Sequence, residues 1–231
     1  YSVLDLEHPV SIGSYMNEPD TLNNKYQLHL AMEQARRVIP QVLEDYEALS
    51  GRKYPLAEGY RNEDAEVILF LLGSSYHTAK TAADRMREEG IRAGVVTLHA
   101  LRPFPAKELY ELCRSAVTVL AADRQDSYGA GGGNMTLELK AALKDHNSKA
   151  RVLSRVYGLG GRDFYVQDAL ELFRQCLDGQ AAAFDYLGVY PGEEDLQVQQ
   201  YFAPISKEDA SPGYISSRME ENGTIKVTGG R

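Results

Sequence analysis

Between residues 64 and 180 the chain repeats one theme four times, and that repetition leaves few folds open. Residues 65–73 (AEVILFLLG) are almost continuously apolar, as a strand buried on both faces requires. A helical pattern over 76–89 follows and stops at Gly90. Residues 92–98 (RAGVVTL) form the second run, and Arg102-Pro103-Phe104-Pro105 turns into a helix over 106–114. The third run, 116–122 (AVTVLAA), precedes a glycine-rich loop at 123–133 and a helix over 135–143. The fourth, 151–157 (RVLSRVY), is followed by the tight loop 158–163 (GLGGRD) and a helix over 166–177. Strands alternating with helices pair in parallel through right-handed crossovers. The expected architecture is therefore α/β, a three-layer sandwich around a mostly parallel sheet.

Upstream, Leu28, Met32, Ala35, Ile39, Val42, Tyr46 and Leu49 fall at alternating steps of four and three. They draw one stripe along a long helix over 24–51, closed by Gly51. Pro40 removes a backbone donor inside it, so a kink, or a second helix starting at Pro40, is expected. The stripe packs on its own domain or pairs with a partner helix, and the first is the simpler reading. Residues 1–23 carry two prolines and little periodicity. They read as an extended lead-in from a preceding domain, and Tyr1 in place of methionine fits a fragment or processed piece. After Ala183 the alternation stops. Residues 184–231 contain Pro191, Pro204 and Pro212 and read as an arm or partly ordered tail with a short strand at 224–228. The expected division is 1–23, an α/β domain over 24–183, and 184–231.

Composition narrows the classes of function. A chain of 231 residues with 43 % hydrophobic content can bury one substantial core. A net charge of −8 without a basic cluster leaves nucleic acid no electrostatic footprint. No apolar stretch approaches the roughly 20 residues of a membrane helix, and no signal peptide is visible, so the expected location is the cytoplasm. Cys113 and Cys176 sit in separate amphipathic segments and read as buried free thiols in a reducing compartment. Two scattered cysteines cannot hold an iron–sulfur cluster. His8, His29, His77, His99 and His146 show no metal-ligand spacing, so no zinc site is expected. His77 lies near Ser74 and Ser75, but without a G-x-S-x-G elbow hydrolase chemistry is not expected.

Two loops remain as candidate sites. Gly129, Gly131, Gly132, Gly133 and Asn134 lie between the third run and its helix. Free backbone N–H groups with a helix dipole behind them suit a phosphate or carboxylate, at the strand ends where parallel sheets bind ligands. The spacing is neither G-x-G-x-x-G nor a P-loop, and a structural turn or subunit contact is the simpler use. Gly160, Gly161, Arg162 and Asp163 form the second loop. Asp163 is placed to cap the next helix, and Arg162 to clamp an anion or pair with a partner domain. The structural reading leads there too. Asp123 and Arg124 read as an internal ion pair rather than catalytic groups, and Ser74 or Ser75 as a helix cap. No catalytic residue is assigned.

In order, Lys25-Tyr26-Gln27-Leu28-His29, Ala31-Met32-Glu33, Gly73-Ser74 and Leu101-Arg102-Pro103-Phe104-Pro105 carry a resemblance. It continues through Asp123-Arg124, Tyr128-Gly129-Ala130-Gly131-Gly132-Gly133 and Gly158-Leu159-Gly160-Gly161-Arg162-Asp163. Over about two-thirds of its length the chain resembles domain II of pyruvate:ferredoxin oxidoreductase and the matching part of α subunits in 2-oxoacid:ferredoxin oxidoreductases. The resemblance implies the fold of the carboxyl-terminal domain of transketolase-like enzymes. It also implies a reaction for the whole enzyme: oxidative decarboxylation of a 2-oxoacid, pyruvate before others, with coenzyme A. Electrons would pass through Fe–S clusters to ferredoxin or flavodoxin, and thiamine diphosphate with Mg would be required. Gly-Asp-Gly, the start of a thiamine diphosphate site, is absent from the sequence. The expectation is a structural, subunit-contact part that binds none of these cofactors and is not catalytic alone. Its partners would be other domains or subunits, and a homodimer stays open. Two alternatives remain: a domain of another transketolase-like thiamine enzyme, or an effector domain binding an anion or coenzyme A through the glycine loops.

Overall fold

The computed structural model describes residues 7–8 and 15–189, and the strand backbones at 215–219 and 225–229. Most of the lead-in 1–23, and 190–214 of the tail, lie outside the described residues. Two compact units divide the chain, Tyr1–Leu187 and Gly188–Arg231.

The first unit is built on a six-stranded sheet. Its strands are β1 (Ala57–Tyr60), β2 (Val67–Phe70), β3 (Ala93–Leu98), β4 (Thr118–Asp123), β5 (Arg151–Val156) and β6 (Phe184–Tyr186), in the order β1-β3-β2-β4-β5-β6. Only β1 runs antiparallel, along β3. Every residue of β2, β3 and β4 is buried, because helices cover both faces and no side chain has a wet side to point to. Alternate residues feed two cores. Leu69, Leu120 and Leu153 meet Tyr76, Met86, Leu170 and Phe173 of α2 (Ser74–Glu88) and α5 (Val166–Leu177). Ile68, Phe70 and Val119 meet Leu109, Cys113, Leu139 and Leu143 of α3 (Ala106–Cys113) and α4 (Asn134–Asp145) on the other face. The α/β sandwich expected from the sequence is the structure's architecture.

Right-handed crossovers were expected throughout, and one connection departs. The chain moves one way from β2 to β3 over the α2 face, then the other way from β3 to β4 to β5 over the opposite face. These three connections share a hand. From β5 it continues in the same direction to β6, but α5 lies beside α2, so this last connection has the opposite hand. α2 alone leaves β2 and β4 uncovered on that face, and α5 returns to cover them. The three-residue β6 is added only afterwards, at the edge.

Three elements differ from the sequence reading. β1 was not foreseen, since AEGY has no apolar run. Gly59 within it is required by close approach, because a Cβ there would lie 2.1 Å from Asn62 Oδ1. β6 lengthens the sheet past the point where alternation stops. In the second unit the strand expected at 224–228 is β8 (Ile225–Gly229), paired antiparallel with β7 (Ile215–Met219).

The long helix is α1 (Asp20–Ser50), continuous through Pro40 and ended by Gly51 in the left-handed conformation, φ +68°. No residue of α1 is buried. Met32, Ala35 and Ile39 are half-buried, whereas Leu28, Val42, Tyr46 and Leu49 are exposed, Leu49 by 89 %. The stripe is therefore only partly covered by its own domain. Two ties reach the loop after β3: the Arg36 guanidinium donates to the Phe104 carbonyl at 3.2 Å, and Tyr46 meets Tyr54, whose ring meets His99.

Candidate functional site

Parallel sheets present ligand sites at their carboxyl edge, where the strand order reverses and two neighbouring strands lead off in opposite directions along the sheet. Here that point lies between β2 and β4, whose following helices α2 and α4 cover different faces. The residues to account for are the starts of α2 and α4 and the loops after β4 and β5.

The glycine loop before α4 proves to be self-satisfied. Asp123, the last residue of β4, turns inward and is buried. Its carboxylate accepts the Met135 N–H at 2.9 Å, the Thr136 N–H at 3.2 Å and the Thr136 hydroxyl at 2.9 Å. The Asn134 N–H donates to Gln125 Oε1 at 3.2 Å, and the Gly133 N–H to Ser154 Oγ at 3.3 Å. Thr136 Oγ1 and Ser154 Oγ lie 2.9 Å apart, which completes a buried chain of hydroxyls from Gly133 to Asp123. The orphan donors of the helix start, which an external anion would need, are thus engaged by protein groups. Burial holds the Asp123 carboxyl above the ordinary range, although its N–H and hydroxyl donors pull the other way. Gly133 belongs to this arrangement, since a Cβ there would come within 2.5 Å of the Asp123 carboxyl carbon. Gly132, at φ +142°, packs against Ser154 and Thr136. The outer part of the loop is tied by Lys140 Nζ donating to the Gly131 carbonyl at 2.5 Å and by Ser127 Oγ to Asn134 Oδ1 at 2.8 Å. Gly129, at φ +83°, follows the exposed Tyr128.

The second loop takes three left-handed glycines in succession of four residues, Gly158, Gly160 and Gly161. Asp163 does not cap α5. It accepts the Tyr165 hydroxyl at 3.0 Å, while Asp168 accepts the Tyr165 N–H at 2.8 Å. Arg162 Nη1 donates to the Leu187 carbonyl at 3.4 Å. Neither serine caps α2 either: its cap residue is Gly73, and Ser75 Oγ instead receives the Tyr157 hydroxyl at 2.8 Å.

Asp123 and Arg124 do not form the expected ion pair. Adjacent residues at a strand end point to opposite sides. Arg124 turns outward, lies over the Tyr157 ring at 5.3 Å and makes no hydrogen bond or ion pair with any described residue. Sequence reasoning missed this residue as a site element, and also a second polar cluster. Glu58 of β1 accepts the Tyr76 hydroxyl at 3.0 Å and lies 2.8 Å from His99 Nε2. Burial raises the Glu58 carboxyl, but the hydrogen bonds from His99 and Tyr76 outweigh it and the net direction is below the ordinary 4.5. A carboxyl with a lowered folded pKa stabilises the fold above its unfolded value, and that stability is lost as pH falls through the folded one. Glu58→Gln should therefore lower the thermal midpoint most above about pH 5 and converge with the parent in acid. A constant difference across a pH series of melts would refute this.

Cys113 and Cys176 are buried in the cores on opposite faces of the sheet, so they cannot ligate one cluster, and burial pushes both thiols up to about 12. Among the described residues no three His, Cys, Asp or Glu side chains gather to hold a metal ion. No helix among them is long and apolar enough to cross a membrane.

Residues 65–169 match the family model of pyruvate:ferredoxin oxidoreductase core domain II. The pyruvate synthase subunit PorA of Thermotoga maritima is 36 % identical over 191 residues, which cover 82 % of this chain and 48 % of that protein. PorA of Methanothermobacter thermautotrophicus is 33 % identical over 173 residues, covering 75 % and 44 %. The ketoisovalerate oxidoreductase subunit VorA of Pyrococcus horikoshii is 34 % identical over 170 residues, covering 73 % and 43 %. The chain spans under half the length of these curated relatives. Among solved structures, the 2-oxoglutarate:ferredoxin oxidoreductase of Magnetococcus marinus aligns with a TM-score of 0.43 at 15 % identity, covering 72 % of this chain and 25 % of that one.

Proposed function

The chain belongs to the pyruvate:ferredoxin oxidoreductase family through its core domain II, and from that premise we propose that it is a non-catalytic, contact-making part of a 2-oxoacid:ferredoxin oxidoreductase. One observation carries this reading. The carboxyl edge of the sheet spends its donors on its own residues, with Asp123 seated where an external anion would bind. The loops Gly129–Asn134 and Gly160–Asp163 then serve as rigid turns and contact surfaces. Thiamine diphosphate, Mg, Fe–S clusters and coenzyme A belong to other parts of the enzyme, and the placement of Cys113 and Cys176 on opposite faces supports this. Other subunits or domains are the partners, with ferredoxin or flavodoxin taking electrons from the whole enzyme in the cytoplasm. The α/β domain placed at 24–183 takes in β6.

Pyruvate is the favoured 2-oxoacid, supported by the 36 % identity to PorA. The 34 % identity to VorA keeps branched 2-oxoacids close behind. Titration calorimetry of the chain with thiamine diphosphate and Mg²⁺ should give no saturable heat. A saturable isotherm with one-to-one stoichiometry would overturn the placement of the cofactors.

A further inference from the structure

We propose that the carboxyl edge of the sheet docks a protein surface of the same oxidoreductase through a carboxylate side chain that Arg124 grips. The inference rests on the functional reading above and adds to it the anchor residue and the chemistry of the partner. Arg124 is exposed, and no described residue forms a hydrogen bond or ion pair with it, although a guanidinium offers five N–H donors in a planar fork. Its Cζ lies over the Tyr157 ring, whose hydroxyl is fixed on Ser75, so the cation is positioned before anything binds. Gly158 keeps the approach open. A Cβ there would stand 3.0 Å from Arg124 Nε. The two loops at this edge carry exposed apolar side chains, Tyr128 at 80 % and Leu159 at 44 %. An exposed arginine stacked on a tyrosine, on an edge whose loops carry exposed apolar side chains, is the composition of an interface anchor, and charge complementarity selects a carboxylate opposite it. A small anion is the weaker fit, because the α4 donors that would share its charge are engaged by Asp123, Gln125 and Ser154.

Hydrogen exchange on the assembled, full-length oxidoreductase tests the proposal. Amides of 129–131 and 159–161, in exposed residues at this edge, should exchange slowly in the assembly. Arg124→Glu should speed them at least about tenfold and Arg124→Lys by less, as expected for an anchor whose loss opens the contact. Amides of β4 should not change, and the thermal midpoint should move by only a few °C, because among the described residues Arg124 loses no hydrogen bond or ion pair but only its contact with the Tyr157 ring. Unchanged loop protection in Arg124→Glu would overturn the docking. So would protection that arises only when inorganic phosphate is added, which would assign a small anion instead. The functional reading fails separately, if the wild-type assembly cannot reduce ferredoxin with any 2-oxoacid.

Discussion

Arg155→Ala should lower the unfolding free energy by about 4 kcal/mol, the largest effect of any single substitution considered. Arg155 is 2 % exposed, at the heart of β5. Its guanidinium donates to Gln175 Oε1 at 2.6 Å, to the Ser154 carbonyl at 2.6 Å and to the Ala182 carbonyl at 3.0 Å. It thereby holds α5 and the segment entering β6 against β5. Burial pushes this guanidinium's pKa down, with Asp185 pulling it back up. An arginine stays charged regardless, so the charge is buried at a cost that its acceptors offset. Truncation removes the donors, strands three acceptors and opens a cavity. In urea titrations the midpoint should fall, and by the usual scaling the melting temperature should drop by about 12 °C. Arg155→Met keeps most of the volume and should lose distinctly less. Equal losses for alanine and methionine would mean that the filled volume contributes nothing measurable and the lost hydrogen bonds carry the whole effect.

β2, β3 and β4 were legible in the sequence because burial on both faces writes itself as nearly unbroken apolar runs, such as VILF and AGVVTL, and β5 (RVLSRV) by its place in the strand–helix alternation. β1 and β6 were not, since short edge strands need little apolar surface. FDY is exposed at its centre and owes its place to pairing with β5. The stripe on α1 was read correctly as a stripe, but periodicity says which residues are apolar and not what covers them. The glycine loops were found by composition, while their use of hydrogen bonds was not. That use depends on Asp123, ten residues before Gly133 in sequence and touching it in space. A signal was present. Strand alternation forbids Asp123 and Arg124 from sharing a side, so an inward Asp must find donors beneath the next helix.

Asp123→Ala tests that arrangement and the functional argument together. It removes the acceptor of the Met135 and Thr136 N–H groups and of the Thr136 hydroxyl. A lost helix cap plus buried donors left unmatched should cost about 3 kcal/mol, or about 9 °C in the melting temperature. The carboxyl's own titration works in the other direction. Its folded pKa is raised, so its linkage contribution is present in acid and lost as pH rises through the folded value. What the substitution removes is therefore hydrogen bonding, not a favourable charge. It also vacates a negative seat at the start of a helix of 12 residues, in front of oriented N–H groups. At matched ionic strength, phosphate replacing chloride should then raise the melting temperature of Asp123→Ala and leave the parent unmoved. The same response in both proteins would mean that Asp123 does not occupy the anion's place. The glycine loop would then be open to an external ligand after all.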